Sequence, residues 1–257
     1  MDVLVLRPSG LQTFLSCPRK YFASYVEQAP RLVSAALAIG TAFHRGAEVL
    51  VAALRARRRP TEVLSEAEAT LEESLALEQT LGDPDPDDDR FDTAKETAIG
   101  LLRAAAHAIP TEWHPAHVEQ TAGVPISDDL TIRGTTDLVL TDGTIVDFKT
   151  RARKSSVGDI RRDLQFTAYS MIRNHADGKT DQPRNIAIIE VTKTKIPQAI
   201  IQPTTRNAAD FATYRTIAIK VAQAIRAGMD YPAPSMWCSS CSFRANCPIF
   251  AGTTPRS

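Results

Sequence analysis

Asp137, Asp147 and Lys149 fall within one short stretch of the sequence, Ile132–Thr150, which also contains Asp142. Asp137 precedes the turn residues Asp142-Gly143, and Asp147 and Lys149 follow them. This pattern predicts two strands joined by a tight turn, which would bring Asp137 close to Asp147. Because side chains alternate along a strand, Asp147 and Lys149 should project from the same face.

Such a cluster has the chemistry needed to hydrolyse a phosphodiester. Asp137 and Asp147 offer hard oxygen ligands that suit Mg²⁺ or Mn²⁺, and a bound metal activates water and neutralises charge on the phosphate. Lys149 would orient the water or stabilise the transition state, and Gly134 would allow a close backbone approach. The triplet alone is ambiguous, because Asp-x-Lys is common and an exposed hairpin with scattered charges also explains it.

Further polar residues have spacings that could serve the same centre. Gln165 and Tyr169 lie four residues apart on a predicted helix after the Lys149 strand, and therefore on one helix face. His44 and Glu48 share a face of an earlier predicted helix in the same way. A neutral imidazole is a suitable ligand for a divalent metal. For His44 taken alone, an ordinary surface or core histidine is the simpler interpretation.

The overall composition is ordinary for a soluble globular protein, with 257 residues of which 43% are hydrophobic and 23% charged. The 30 basic and 30 acidic side chains cancel, so any surface for nucleic acid has to be local. No apolar run approaches the roughly 20 residues that cross a bilayer, and the N-terminus lacks the features of a signal peptide. We expect a cytoplasmic protein without membrane contact, where structural disulfides are rare.

The four cysteines have the spacing of metal ligands. Cys238, Cys241 and Cys247 form a group near the C-terminus, and Cys17 lies near the N-terminus. Four thiolates suit either Zn²⁺ or a [4Fe–4S] cluster, and spacing does not separate the two. Buried free thiols are a further alternative. A site built from all four would join the chain ends and restrict a very long loop of the unfolded chain.

The chain divides into a mainly helical part (1–110), an α/β part (111–205) and a C-terminal helix with a Pro- and Cys-rich tail (206–257). Predicted helices cover 11–26, 34–57, 60–80, 92–109, 158–175 and 206–227, and predicted strands cover 118–126, 130–140, 144–150, 185–193 and 198–203. Ser9 is the predicted N-cap of the first helix. The acidic run Gly82–Arg90 combines two prolines with clustered like charges, which predicts a mobile, solvated loop.

A local basic cluster follows the Lys149 strand directly. Arg151, Arg153 and Lys154 could therefore grip DNA phosphates beside the active centre. For this cluster, as for basic clusters elsewhere in the chain, a solvated surface is an equally good interpretation.

Taken in order, His44, Asp137, Asp147-Phe148-Lys149, Gln165 and Tyr169 resemble the motifs of the RecB-family nuclease domain, a family that includes the AddB nuclease domains and the Cas4 exonucleases. The segment Ser9–Val26 also resembles the start of these domains, and the resemblance covers nearly the whole chain. It implies a PD-(D/E)XK, restriction-endonuclease-like α/β core, with a central mixed sheet flanked by helices, in a single domain over residues 1–257. Many relatives carry Glu where this chain has Asp147.

The resemblance also implies roles for individual residues. The catalytic Mg²⁺ or Mn²⁺ would be bound by His44, Asp137, Asp147 and the carbonyl of Phe148. Lys149 would be the catalytic lysine, supported by Gln165 and Tyr169. One cysteine ahead of the histidine and three at the C-terminus is the arrangement of the family's iron–sulfur members, which implies a structural [4Fe–4S] cluster on Cys17, Cys238, Cys241 and Cys247.

The function implied is that of a metal-dependent DNA exonuclease. Its substrate would be single-stranded DNA ends, with 5′→3′ polarity favoured, in recombination, repair or phage DNA metabolism. A DNA-binding adaptor subunit with weak or no cleavage is the main alternative, and a zinc-containing structural protein is another. The chain has no Walker A sequence, so it lacks that motif of a helicase motor. A homo-oligomer and a larger repair complex both stay open.

Overall fold

The computed structural model describes residues 2–81, 83–86 and 88–250. Its strands are β1 (Leu4–Leu6), β2 (Leu32–Val33), β3 (Asp83–Pro84), β4 (Pro115–Ser127), β5 (Leu130–Leu140), β6 (Ile145–Arg151), β7 (Arg184–Thr192) and β8 (Gln198–Arg206). Its α-helices are α1 (Pro8–Ser16), α2 (Pro18–Tyr21), α3 (Ala35–Arg55), α4 (Leu64–Leu81), α5 (Ala94–Ala108), α6 (Val157–Arg162), α7 (Leu164–Ala176) and α8 (Ala208–Arg226). A π-helical turn (Phe22–Val26) and 3₁₀ turns (Pro60–Val63, Asp89–Thr93, Cys238–Ser240, Arg244–Asn246, Pro248–Phe250) complete these elements.

A mixed sheet of six strands forms the centre of the described chain. β4 and β6 are both antiparallel to β5. β6 and β7 are parallel and are joined through α6 and α7, and β8 is antiparallel to β7. β1 pairs in parallel with residues 130–132 of β5. Because β4 occupies one edge of β5 along most of its length, β1 and β6 share the other edge, and residues 133–137 lie between them.

Helices cover both faces of this sheet, which confirms the predicted α/β class with a central mixed sheet. One hydrophobic core lies between the sheet and α3, α4 and α5, and it contains Phe43 and Phe148. The other lies between the sheet and α1, α7 and α8, and it contains Ile188 and Phe211. β6 and β7 contribute to both cores, as is usual for parallel strands between two helical layers.

Helix α3 passes through the first core. Ser34 caps its N-terminus by accepting a hydrogen bond from Leu37 N at 3.3 Å. By length and composition, α3 is the one helix of the described ranges that is long and apolar enough to cross a bilayer, although it carries Arg45 and Glu48 within its length. However, 56% of its apolar window is buried inside the protein. Its apolar side chains therefore pack in the core.

The predicted first helix is wrong in its start and in its continuity. α1 begins at Pro8, and its N-cap residue is Arg7, whereas Ser9 was predicted. The helix ends at Cys17 because a proline follows, and the residue before a proline is driven from helical to extended backbone. Cys17 has a φ of −166° and a ψ of 109°. This break places Cys17 between α1 and α2.

The acidic run was predicted to be a mobile loop, but it contains a short strand and a side chain that is hydrogen-bonded to α3. Gly82 and Asp87 lie outside the described residues. Asp83–Pro84 forms β3 and pairs with β2, while Asp88 accepts a hydrogen bond from Ala35 N at 2.9 Å. The prediction failed because free N–H groups at the start of α3 offer the acidic side chain a partner that is distant in sequence.

The predicted helix over 158–175 is interrupted between α6 and α7. Asp163 has extended backbone there, and its carboxylate caps α7 by accepting from Gln165 N at 3.0 Å. Arg206 is 1% exposed and holds this junction. Its Nη2 donates to the carbonyl of Ile160 at 2.6 Å, and its Nε donates to Thr167 Oγ1 at 3.0 Å. The break places Gln165 in the first turn of α7.

Candidate active site

The β5–β6 hairpin brings the two predicted catalytic carboxylates to one place. The glycine of the Asp142-Gly143 turn has a φ of +87°, a left-handed conformation that glycine adopts at little cost. Leu138 pairs with Val146. Asp137 and Asp147 therefore flank the final pair of the hairpin, where the two strands separate.

Asp137 lies between the hairpin and α3. Its Oδ2 accepts a hydrogen bond from Phe148 N at 2.9 Å and lies 3.6 Å from His44 Nδ1. The ring of Phe148 packs against Phe43 on α3, with ring centroids 6.3 Å apart. This packing fixes β6 against α3, so that His44 reaches the carboxylate.

Asp147 and Lys149 form a buried ion pair on one face of β6, as the alternation along the strand predicts. Lys149 Nζ lies 3.0 Å from Oδ1 and 2.8 Å from Oδ2 of Asp147, which is 1% exposed. Burial raises the pKa of Asp147 to about 7, although Lys149 opposes the shift. Burial alone would lower the pKa of Lys149, but Asp147 and Asp137 raise it above its usual value. The amine therefore stays protonated at neutral pH.

Gln165 and Tyr169 lie one turn apart on α7 and are hydrogen-bonded to each other. Gln165 Nε2 donates to Tyr169 OH at 2.7 Å. Burial and then the charges of Asp147 and Asp137 raise the pKa of Tyr169, so its hydroxyl is neutral beside the carboxylates. Gly134 permits this close approach, because a Cβ at that position would lie 3.2 Å from Tyr169 Cε1.

His44 opens onto a cavity of about 500 Å³ that is also lined by Glu48, Glu119 and Asp137. Burial lowers the pKa of His44, with Lys149 adding to the effect, although Asp137 and Glu48 act in the opposite direction. The imidazole is therefore neutral at pH 7, which is the form that can bind a metal. His44 and Glu48 lie on one helix face, as predicted.

Glu119 also lines this cavity, although nothing in the sequence distinguishes it from other strand residues. Its φ is 47°, a left-handed conformation that is uncommon for a residue other than glycine. Partial burial and the carboxylates of Asp137 and Glu48 raise its pKa to about 7. Its position follows from this local backbone conformation, which a single sequence does not reveal.

The donors at this centre have the chemistry that suits a hard divalent cation. His44 offers a neutral nitrogen, and Asp137 and Asp147 offer oxygens. Asp147 Oδ2 is buried and accepts no well-aligned hydrogen bond. Among the residues that the structure describes, however, no three His, Cys, Asp or Glu side chains are grouped closely enough to hold a metal ion as they stand. Asp147 is directed at Lys149 and Asp137 at Phe148 N, so metal binding requires these carboxylates to reorient.

A second cavity, of about 400 Å³, brings together the predicted nucleic-acid contacts Arg151, Arg153 and Lys154. We call it the basic cavity. Gln12 and Asp163 also line it, and Gln12 Nε2 donates to Asp163 Oδ1 at 2.8 Å. These residues lie at and directly after the end of β6, the strand that carries Lys149, and contact with DNA stays a prediction.

All four cysteines line a third cavity, of about 520 Å³, although Cys17 and the C-terminal group are far apart in sequence. Ala233 N donates to Cys17 Sγ at 3.4 Å, and Ser235 N donates to Cys238 Sγ at 3.3 Å. Such N–H donors are common around the sulfur ligands of iron–sulfur clusters. The sulfurs as placed do not form a ligand group within the described chain.

A family model described as the PD-(D/E)XK nuclease superfamily matches residues 6–248. The chain belongs to this superfamily. A protein from Eubacterium rectale, described as a "Putative exonuclease", shares the fold with a TM-score of 0.57 at 14% identity, over 98% of this chain and 91% of that chain. A structure described as SSO0001 aligns with a TM-score of 0.43 at 14% identity, over 96% and 87% of the two chains. No curated protein matches this nuclease-superfamily chain.

Proposed function

We propose that this nuclease is a metal-dependent DNA exonuclease of the RecB-like, Cas4-like type. One observation carries the proposal. A chain of the nuclease superfamily brings Asp137, Asp147 and Lys149 together where the β5–β6 hairpin opens, with His44 3.6 Å from Asp137. This is the residue set that metal-assisted hydrolysis of a phosphodiester requires.

Mg²⁺ or Mn²⁺, when bound, would activate the attacking water and neutralise charge on the phosphate. His44, Asp137, Asp147 and the carbonyl of Phe148 are the proposed ligands. Asp147 Oδ2 is buried, lies 2.8 Å from Lys149 Nζ and accepts no aligned hydrogen bond. This oxygen therefore keeps lone-pair capacity for a cation, which supports the assignment.

Lys149 supplies a fixed positive charge at the centre. Its ammonium group lies against Asp147 and 5.7 Å from the centroid of the Phe166 ring. In this buried setting, a cation stabilises the negative charge of the phosphoryl transition state more strongly than it would in water. Gln165 and Tyr169 present an amide and a neutral hydroxyl, and Tyr169 lies within the field of Asp147 and Asp137. We assign them to orienting the lysine and the substrate.

We further propose that the chain belongs to the iron–sulfur branch of this family, with a [4Fe–4S] cluster on Cys17, Cys238, Cys241 and Cys247. Their shared cavity and the two N–H···S hydrogen bonds support the assignment. The role proposed is structural, because the ligands come from both ends of the chain.

The proposed substrate is single-stranded DNA with free ends, degraded with 5′→3′ polarity by one domain over residues 1–257. The setting proposed is the cytoplasm, in recombination, repair or phage DNA metabolism, alone or within a larger complex. Arg151, Arg153 and Lys154 would contact phosphates, since they line the basic cavity directly after the Lys149 strand.

The first experiment is a nuclease assay on labelled single-stranded and double-stranded DNA with Mn²⁺. We expect degradation by the wild-type protein and a loss of at least about 10²-fold in rate for Lys149→Ala, because one charge-stabilising group has been removed. Lys220→Ala is the matched control, since Lys220 lies on α8 and contacts Gln223. The control should retain the wild-type rate.

Two outcomes would contradict the catalytic proposal. Equal degradation by Lys149→Ala and the wild type would point to a contaminating nuclease. DNA binding without any metal-dependent degradation would favour the adaptor alternative. End-labelling at the 5′ or the 3′ terminus in the same assay reports the polarity.

A further inference from the structure

A fourth cavity, of about 520 Å³, lies at the open edge of β5 between the pairing sites of β1 and β6. We call it the β5-edge cavity. It is lined by Arg133, Gly134 and Thr135 of β5, by Arg7, Pro8 and Ser9 at the start of α1, and by Val5, Thr121, Gln165 and Tyr169. The function assigned above to the active site does not involve Arg7 or Arg133.

The charge of this lining is wholly positive. Arg7 and Arg133 are both exposed, and no Asp or Glu lines the cavity. Within residues 2–81, 83–86 and 88–250, neither arginine forms an ion pair. By contrast, Arg103 on α5 is paired with Glu68 at 2.6 Å. Two unpaired guanidinium groups around one concave surface favour an anionic ligand.

The rest of the lining suits a nucleotide better than a small free anion. Ser9 and Thr135 add hydroxyl groups, and Thr135 Oγ1 lies 2.7 Å from Thr121 Oγ1. Val5 is 51% exposed and supplies apolar surface together with Pro8. The volume falls within the range of about 300–1,000 Å³ that is typical of ligand sites, and therefore has room for sugar and base as well as phosphate.

The β5-edge cavity also adjoins the catalytic residues. Gln165 and Tyr169 line it, and Tyr169 contacts the strand at Gly134, just before Asp137. On the other side, Asp163 links the cavity to the basic cavity, because its Oδ1 accepts from both Gln12 Nε2 and Gln165 N. Ser9 and Gln12 lie three residues apart on α1, so one face of that helix fronts both cavities.

We propose that the β5-edge cavity holds the DNA strand next to the scissile phosphodiester, with Arg7 and Arg133 contacting its phosphates, and that the strand continues past Tyr169 into the basic cavity. This inference rests on the proposed nuclease function. It adds a binding site, separate from the basic cavity that contains Arg151, and names a single polynucleotide strand as its ligand.

The test is an equilibrium binding titration of a fluorescent oligothymidine in EDTA, so that no cleavage occurs. We expect Arg7→Ala/Arg133→Ala to weaken binding about tenfold or more at low salt. The slope of log K against log salt should also fall by about 1.4, since each phosphate contact on a single strand contributes about 0.7. Arg7→Lys/Arg133→Lys should retain most of the slope, because the charge is kept.

Arg31→Ala/Arg55→Ala is the matched control, because both residues are exposed arginines away from this cavity. Equal loss of affinity in this control would overturn the proposal in favour of a general charge effect, and so would an unchanged slope in Arg7→Ala/Arg133→Ala. Failure of the proposed function would look different, since it would show as absent degradation in Mn²⁺ regardless of how the arginine variants bind. Circular dichroism spectra matching the wild type would establish that both double variants fold.

Discussion

Asp147 and Glu119 combine raised pKa values with positions on either side of Asp137. Burial is the main cause for both residues, and the pKa of each is raised to about 7. Without a bound cation, the carboxyl groups of Asp147 and Glu119 are therefore partly protonated near neutral pH. A divalent metal would replace those protons, so the same electrostatics that oppose ionisation favour cation binding.

This coupling predicts how stability depends on pH. The folded pKa values lie above the ordinary 3.8 for Asp147 and 4.5 for Glu119, so the folded state binds more protons than the unfolded state. Their contribution to stability is complete below those ordinary values and is lost as the pH rises to about 7. We expect the Tm of metal-free protein to fall across this window.

Excess Mg²⁺ should reverse that loss, with a stabilisation of about 2.7 kcal/mol at a concentration 100 times the Kd. The measurement is thermal unfolding at pH 5 and pH 8, with and without Mg²⁺. Glu119→Gln is the companion variant, because it removes one of the two carboxyls and should make the decline shallower. An identical Mg²⁺ effect at both pH values would contradict the interpretation.

At the residue scale, the sequence predicted much of the site. The hairpin, the alternation of Asp147 and Lys149, and the close approach at Gly134 all follow from local rules and are present in the structure. Glu119 and Arg133 could not be predicted, because their positions depend on a left-handed backbone conformation and on an open strand edge. Those features arise from pairing between distant segments.

At the scale of elements, the start of α3 shows how a distant residue positions the site. Asp88 accepts hydrogen bonds from the Arg90 side chain and from Ala35 N, which together lower its pKa to about 2. α3 carries His44, so this contact fixes the helix that supplies a proposed metal ligand.

Asp88→Ala should lower the free energy of unfolding at pH 7 by about 0.5–2 kcal/mol, the range found when a side-chain acceptor is lost at a helix N-terminus. Because the folded pKa is depressed, the contribution is present above the ordinary value of 3.8 and is lost as the pH falls towards about 2. Urea unfolding at pH 7 and at pH 2 provides the measurement. The control is Asp89→Ala, an exposed neighbour, and equal effects of the two variants would contradict a capping role.

Element boundaries were predictable where local signals were strong. The helix predicted over 34–57 closely matches α3, whereas the breaks at Cys17 and Asp163 were missed. Cys17 precedes a proline, a signal that the apolar periodicity of the first helix obscured. Asp163 is not followed by a proline. The interruption of the helix at Asp163 depends on buried Arg206, which is distant in sequence. β1 was missed because three residues are too few to show a strand pattern.

At the scale of the whole molecule, contacts between the two ends of the described chain are numerous. Arg19 pairs with Asp230, and Leu32 N donates to Ser242 O at 3.0 Å. These contacts lie near the cavity lined by the four cysteines. They hold the C-terminal tail against α2 and β2 independently of the proposed iron–sulfur cluster.

We expect protein purified without oxygen to be brown and to contain about four iron atoms per chain, as a [4Fe–4S] cluster requires. Cys247→Ser should lose the brown colour and become sensitive to proteolysis after residue 228. Ser239→Ala, the control, should keep the colour and stay as resistant to proteolysis as the wild type. Visible absorption, iron analysis and limited proteolysis are the measurements. Stoichiometric zinc without iron would contradict the cluster assignment.

The parallel pairing of β1 with residues 130–132 of β5 has a consequence for biosynthesis. At translation rates of about 5–20 residues per second, about 6 to 25 s pass between the synthesis of β1 and that of its partner residues in β5. Its Leu-Val-Leu sequence is unpaired during that interval. The sheet cannot close while only the N-terminal half has left the ribosome, and the residues of the candidate active site can come together only after β6 emerges.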